Sequence, residues 1–270
     1  MEFQSTSFSA LHAEVQDKLR ANIFVDMYYF VGGECPRGVR ILASHCAEGQ
    51  NMSDQSHRFI QKLKSDFIES LKSILEMQEQ WQGVVTTGGT AANEAGLLAA
   101  RNFANRSVVL CTNLSHCSIH QRAKKLKMQV ATVDHDPESL DVYPSREILD
   151  QLVRYRNKVA ALILTAPETT FGFSEVPSDE VIQECKEQNV QIHLDAAGAM
   201  DLLLASSRRS EIRSLMQCVD TMTIDPHKFV GVPGIGLLFQ NNDQKHTDCV
   251  PYLPATAEAD TIGTTASSCA

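Results

Sequence analysis

The chain has 270 residues, of which 43% are hydrophobic and 21% charged, enough apolar material for one large α/β domain or for a domain with an appendage. Lys and Arg number 24 against 33 Asp and Glu, and the resulting charge of −9 excludes a nonspecific binder of nucleic acid or of anionic membrane. No apolar run approaches the roughly 18 residues of a membrane helix, and eight cysteines without a C-x-x-C pair exclude a disulfide-stapled miniprotein and point to reduced, buried thiols.

The first residues, MEFQSTSFSALHAEV, carry acid early and lack an apolar core, so no secretory signal is expected and the cytoplasm is the default location. The stretch from Asn22 to Arg40 holds Tyr28, Tyr29 and Phe30, which either line a pocket or form an ordinary packing cluster. From Asp54 to Met77, apolar residues at Phe59, Ile60, Leu63, Phe67, Ile68, Leu71, Ile74 and Leu75 predict a long amphipathic helix whose stripe serves packing. Seven strands follow: VVTT from Val84, SVVLCT from Ser107, MQVATV from Met128, VAALILT from Val159, VQIHLD from Val190, TMTID from Thr221 and GIGLLF from Gly234. Helix-type spacing separates the earlier ones, for example Ile148, Leu149, Leu152 and Val153. Unalternated apolar strands require a mostly parallel sheet covered by helices on both faces. The last two strands are joined by a loop too short for a crossover helix, so an antiparallel edge is expected there. After Gln240, NNDQKHTD reads as a polar turn that opens a return segment.

Three strand ends carry chemistry. The first strand runs into Gly88-Gly89-Thr90 and a helix, placing free N–H groups and a positive dipole end where a phosphate could sit; a plain glycine turn is the other reading. His193-Leu194-Asp195-Ala196-Ala197 ends a strand where open α/β sheets bind ligands, although such an Asp also serves as a turn or cap residue. Asp225-Pro226-His227-Lys228 follows another strand, and a lysine between apolar segments can act as an amine nucleophile as well as a surface charge. A phosphate cradle, a carboxylate for a pyridine nitrogen and a lysine for an aldehyde together describe pyridoxal 5'-phosphate. A zinc hydrolase built on His116, His120, His193 and Asp195 is the rival, and it leaves Lys228 and the glycine turn unexplained.

The blocks TTGGTAANEAGLLAAR, NLSHCSIHQRA, TAPETTFGF, HLDAAGA and TIDPHK resemble, in order and spacing, those of the group II amino-acid decarboxylases, pyridoxal-phosphate enzymes of the aspartate-aminotransferase fold (fold type I). The resemblance spans about Gly83 to Gly263 and is closest to the archaeal-type tyrosine/aspartate decarboxylases. It implies that Lys228 carries the cofactor's aldehyde, that Asp195 bonds the pyridinium nitrogen, and that Ala197 and His116 cover opposite ring faces. Gly88, Gly89 and Thr90 would bind phosphate, His227 would lie beside the aldehyde and phosphate, and Thr169 or Thr170 would approach the ring oxygen. His193 is expected to support the strand. Lys228, Asp195 and His116 would be the catalytic set for release of carbon dioxide from an L-amino acid in a cytoplasmic homodimer.

The sequence departs from that family in three places. Ala91 stands where the phosphate block usually has Glu, TAPETTFGF reads as carrying an extra residue with Pro167 and Glu168 in place of a small Gly, and Gly263-Thr264-Thr265 lacks an expected arginine. The expected organisation is an N-terminal segment over 1–50, a cofactor-binding large domain over 51–245, and over 246–270 the start of a small C-terminal domain that is largely absent. A cofactor-binding pseudoenzyme, or another lyase or desulfurase of the same cofactor, stays open beside the decarboxylase.

Overall fold

Strands apolar on both sides need cover on both sides, and a computed structural model shows them so covered. It describes residues 58–136, 143–169, 172–199, 203, 209–226, 228 and 235–241. In chain order the elements are α1 (Arg58–Ile74), β1 (Trp81–Thr86), α2 (Gly89–Ala104), β2 (Val108–Thr112), α3 (Cys117–Lys125), β3 (Gln129–Val133), α4 (Ser145–Arg154), β4 (Val159–Thr165), α5 (Asp179–Glu187), β5 (Gln191–Asp195), α6 (Arg209–Met216), β6 (Thr221–Ile224) and β7 (Gly236–Asn241). All seven expected strands are present. The expected helix from Asp54 to Met77 is observed over Arg58–Ile74, with residues 54–57 outside the described set. The segments 1–50 and 246–270, including the aromatic stretch from Asn22 to Arg40, also lie outside it.

The seven strands form one sheet in the order β1-β7-β6-β5-β4-β2-β3. Neighbours from β6 to β3 run parallel, and β7 runs antiparallel to both β6 and β1. The last strand is therefore antiparallel as expected, yet it is interior and not an edge. The reason is that β1, the first strand in sequence, adds to the far side of β7, pairing Trp81 with Asn241 through Thr86 with Gly236.

Alternate residues of the central strands feed two cores, as the period of two requires. Leu110, Leu162, Leu164, Ile192 and Leu194 face a core shared with Ile148 and Leu152 of α4, Val181 of α5 and Ile212 and Leu215 of α6. Val109, Cys111, Ala161 and Ile163 face the other side, with Leu97 of α2 and Ile119 of α3. Helix α2 comes close to the sheet because its inner residues are small: Ala91, Ala92, Ala95, Gly96, Ala99 and Ala100 are all buried. It ends at Asn105, whose left-handed conformation (φ 50°) lets its N–H bond the Arg101 carbonyl. Glu94 ties α2 to α3 through Arg122 (3.1 Å) and Lys125 (2.6 Å).

Candidate active site

Thr165 of β4 pairs with Asp195 of β5, and Asp195 pairs with Thr223 of β6, so these strands end at one level. The β1–α2 turn reaches the same edge because Thr86 pairs with Gly236. This is the carboxyl edge of the parallel strands, where α/β sheets bind ligands.

Gly88 adopts φ 109°, a conformation that favours glycine, and opens α2. Gly236 is needed beneath it, since a Cβ there would stand 2.2 Å from the Gly88 carbonyl carbon. The amide of Gly89 donates to Asp225 Oδ2 at 3.0 Å. The turn thus holds an anion of the chain itself, at the helix end where Gly88, Gly89 and Thr90 are expected to hold a phosphate. The Asp225 carboxyl group, which follows β6, thus sits at the positive end of that dipole.

Beside this turn, His116, Thr165, Pro167, Thr169, Asp195, Ala197, Gly198 and Lys228 line one cleft of about 270 Å³, its open mouth included. Three stretches that lie far apart in sequence, at His116, at Asp195 and Ala197, and at Lys228, therefore meet there. Of the two threonines expected near the cofactor, Thr169 lines the cleft, and Thr170 lies outside the described residues, as does His227. Lys228 is half-buried, and its backbone N–H donates to the Asp225 carbonyl at 3.0 Å.

Asp195 is held from behind. Its Oδ2 accepts from Asn93 Nδ2 at 2.8 Å, and its Oδ1 accepts from the Ala197 amide at 3.2 Å. Asn93 Nδ2 also donates to Ser118 Oγ (3.0 Å), and Asn93 Oδ1 faces His193 Nε2 (3.1 Å). His193 Nδ1 lies 2.8 Å from Thr221 Oγ1. Burial pushes His193 down from 6.5 to about 4, with the nearby Asp195 charge opposing, so this ring is neutral and supports the strand as expected. Its fit depends on Gly96, where a Cβ would meet His193 Cε1 at 2.5 Å and Nδ1 at 2.6 Å.

His116 is the N-cap of α3 and not a residue of its face; its Nδ1 accepts the Ser118 amide at 3.2 Å and lies 2.8 Å from Ser118 Oγ. The zinc arrangement does not assemble. Both ring nitrogens of His193 are bonded within the chain, and among the described residues no group of three or more His, Cys, Asp and Glu could hold a metal.

Behind the cleft wall, Glu175 accepts from Thr112 Oγ1 (2.5 Å) and from the Thr165 amide (2.7 Å). Burial raises its carboxyl from 4.5 to about 7, with those hydrogen bonds opposing and the nearby Glu168 charge adding to the rise. Sequence reasoning missed Asn93, Ser118 and Glu175. The available signal for Asn93 was a polar residue inside an alanine-rich helix, whereas Glu175, ten residues past the end of β4, carried none.

A family model described as "Pyridoxal-dependent decarboxylase conserved domain" matches residues 59–262. A probable L-tyrosine/L-aspartate decarboxylase of Methanothermobacter thermautotrophicus is 26% identical over 77% of this chain and 58% of its own length. An L-aspartate decarboxylase of Thermococcus kodakarensis is 24% identical over 89% of the chain and 64% of its own length. The chain spans 48% to 65% of the length of the first four curated relatives that it matches. Among solved structures, Oryza sativa TDC with PLP and tryptamine superposes with a TM-score of 0.69 at 15% identity, covering 97% of this chain and 62% of that one. Mouse CSAD does so with a TM-score of 0.67 at 17% identity, covering 83% and 50%. These likenesses place the fold among the type I pyridoxal-phosphate enzymes.

Proposed function

Because the chain belongs to the pyridoxal-dependent decarboxylase family, we propose that it binds pyridoxal 5'-phosphate and removes the α-carboxyl group of an L-amino acid. The observation that carries this reading is the meeting of Lys228, Asp195, His116 and Ala197 on one cleft. Around the ring and the aldehyde the donor set fits the cofactor, while the Gly89 amide expected for the phosphate is bonded to Asp225. The set offers a primary amine for an aldehyde, a carboxylate backed by two hydrogen bonds for a ring nitrogen, an imidazole for one ring face and a methyl group for the other.

When bound, the cofactor supplies an electron sink for the charge left on Cα as carbon dioxide departs. Asp195 would bond the cofactor's ring nitrogen and hold a proton on it. Asn93 and the Ala197 amide prevent that carboxylate from turning away. Lys228, which lines the cleft, would hold the cofactor's aldehyde through its amine. Thr169 stands at the cleft wall, where it would meet the ring oxygen.

Residues 51–245 form the cofactor-binding unit in this reading, and the working form is a cytoplasmic homodimer with a small amino acid as substrate. The archaeal relatives named for tyrosine and aspartate support an amino-acid substrate of that kind. Incubation with pyridoxal phosphate should produce a visible absorbance band, and borohydride should fix the added mass on the peptide containing Lys228. Lys228→Ala should lose both signals. Carbon dioxide release from a panel of amino acids tests the reaction itself; a chain that takes up cofactor yet releases none would refute the decarboxylase and leave cofactor binding standing.

A further inference from the structure

Asn93 lies in α2 among alanines, and its side chain is buried, with the residue only 1% exposed. Packing alone would accept alanine there, since Ala91, Ala92 and Ala95 line the same helix and Glu94 already ties it to α3. Every hydrogen-bonding group of the Asn93 amide is nevertheless used, on residues 25, 100 and 102 positions away.

The direction of each bond follows from chemistry. Asp195 accepts the Ala197 N–H at Oδ1 and the Asn93 amide nitrogen at Oδ2, 2.8 Å away, so the Asn93 carbonyl oxygen faces His193. His193 is neutral, so it donates from Nε2 to that oxygen and accepts the Thr221 hydroxyl at Nδ1. The second Asn93 amide hydrogen goes to Ser118 Oγ, which leaves the Ser118 hydroxyl hydrogen for His116 Nδ1. The Ser118 backbone N–H points to the same nitrogen. The Asp195 carboxylate and the His116 ring are thereby joined through two intervening side chains.

We propose that Asn93 is a positioning residue that holds Asp195 and, through Ser118, His116 as one frame around the cofactor's ring. This rests on the reading of the cleft as a pyridoxal-phosphate site. The buried members of this network, Asn93, Ser118, His193 and Asp195, resist reorientation, because moving one leaves the others unpaired, and half-buried His116 is tied to them through Ser118.

The test compares full-length wild type and Asn93→Ala, measuring dissociation constants for pyridoxal phosphate and for its analogue with CH in place of the ring nitrogen. Loss of the frame should weaken pyridoxal phosphate about tenfold and the analogue by less than about twofold, because only the former depends on Asp195. Equal weakening of both, as from a purely structural role, would overturn the proposal, and so would no change in either. Ring ¹⁵N shifts of the cofactor-free wild type test the frame independently of that variant's folding and of the cofactor. Protonated Nε2 on His193 with unprotonated Nδ1 on His116 is expected, and a proton on His116 Nδ1 would refute it. Wild type that binds no pyridoxal phosphate would refute the functional reading, with the frame still judged by these shifts.

Discussion

Replacing Glu175 by Gln keeps the shape of the side chain and deletes one titration. In the folded chain burial raises this carboxyl from 4.5 to about 7, whereas the unfolded chain returns it to its ordinary value. The folded state therefore holds the proton more tightly between those limits. Its contribution to stability is full below pH 4.5, declines as pH rises to about 7 and is flat beyond. A shift of that size corresponds to about 3 kcal/mol. His193 acts in the opposite sense: lowered from 6.5 to about 4, it contributes stability above 6.5 that is lost as pH falls through 4. Asp220, raised by burial from 3.8 to about 6, adds to the Glu175 trend. The wild-type profile is a remainder of these opposed slopes, so the difference between wild type and Glu175→Gln is the quantity to measure. Urea unfolding followed by circular dichroism from pH 4.5 to 8 should show wild type losing about 3 kcal/mol relative to the variant. In the variant, the amide can accept from the Thr165 N–H and donate to Thr112, so both partners stay bonded. A difference independent of pH would refute the reasoning.

Gly96→Ala should cost about 2 kcal/mol or more, because the new methyl group meets a ring pinned by Thr221 and Asn93; an unchanged melting temperature would count against that contact. Asp195→Asn should reduce carbon dioxide release about 100-fold or more while cofactor affinity falls far less, and equal losses in a titration and a turnover assay would contradict the assigned role. Cys117 is exposed, whereas burial pushes the Cys111 and Cys185 thiols up to about 12. Peptide mapping after brief iodoacetamide treatment should find Cys117 modified at least about 100-fold faster than either, and comparable rates would show that these two are not sealed in the core.

The strands were legible because each is an apolar run bounded by turn residues, and Asp195 and Lys228 stood out as charges closing such runs. The placement of β7 was not legible. Its loop showed that it must reverse direction, but nothing local in GIGLLF indicates that a segment near Trp81 will flank it. The cleft was partly legible for the same reason: strand ends advertise it, while the residues behind it do not. Asn93 reads as an ordinary polar position in a helix, and Ser118 as part of a helix start; their meaning comes from partners distant in sequence. The sequence points to Gly89 as a phosphate donor, whereas the competing Asp225 carboxylate depends on the fold that sets β6 beside α2.

The place of β7 also bears on the order in which the molecule can be completed. Among the described residues β1 pairs with β7 alone, so the strand that feeds the glycine turn has no sheet neighbour until the segment ending at Asn241 is available. During synthesis the β2–β6 portion can associate as it emerges, but β1 must wait for nearly all of the described chain. Closure over so long a sequence separation is slow relative to local pairing. The glycine turn beside the cleft is thus expected to be set late, and nascent chains released before β7 would carry Asp195 without a finished turn beside it.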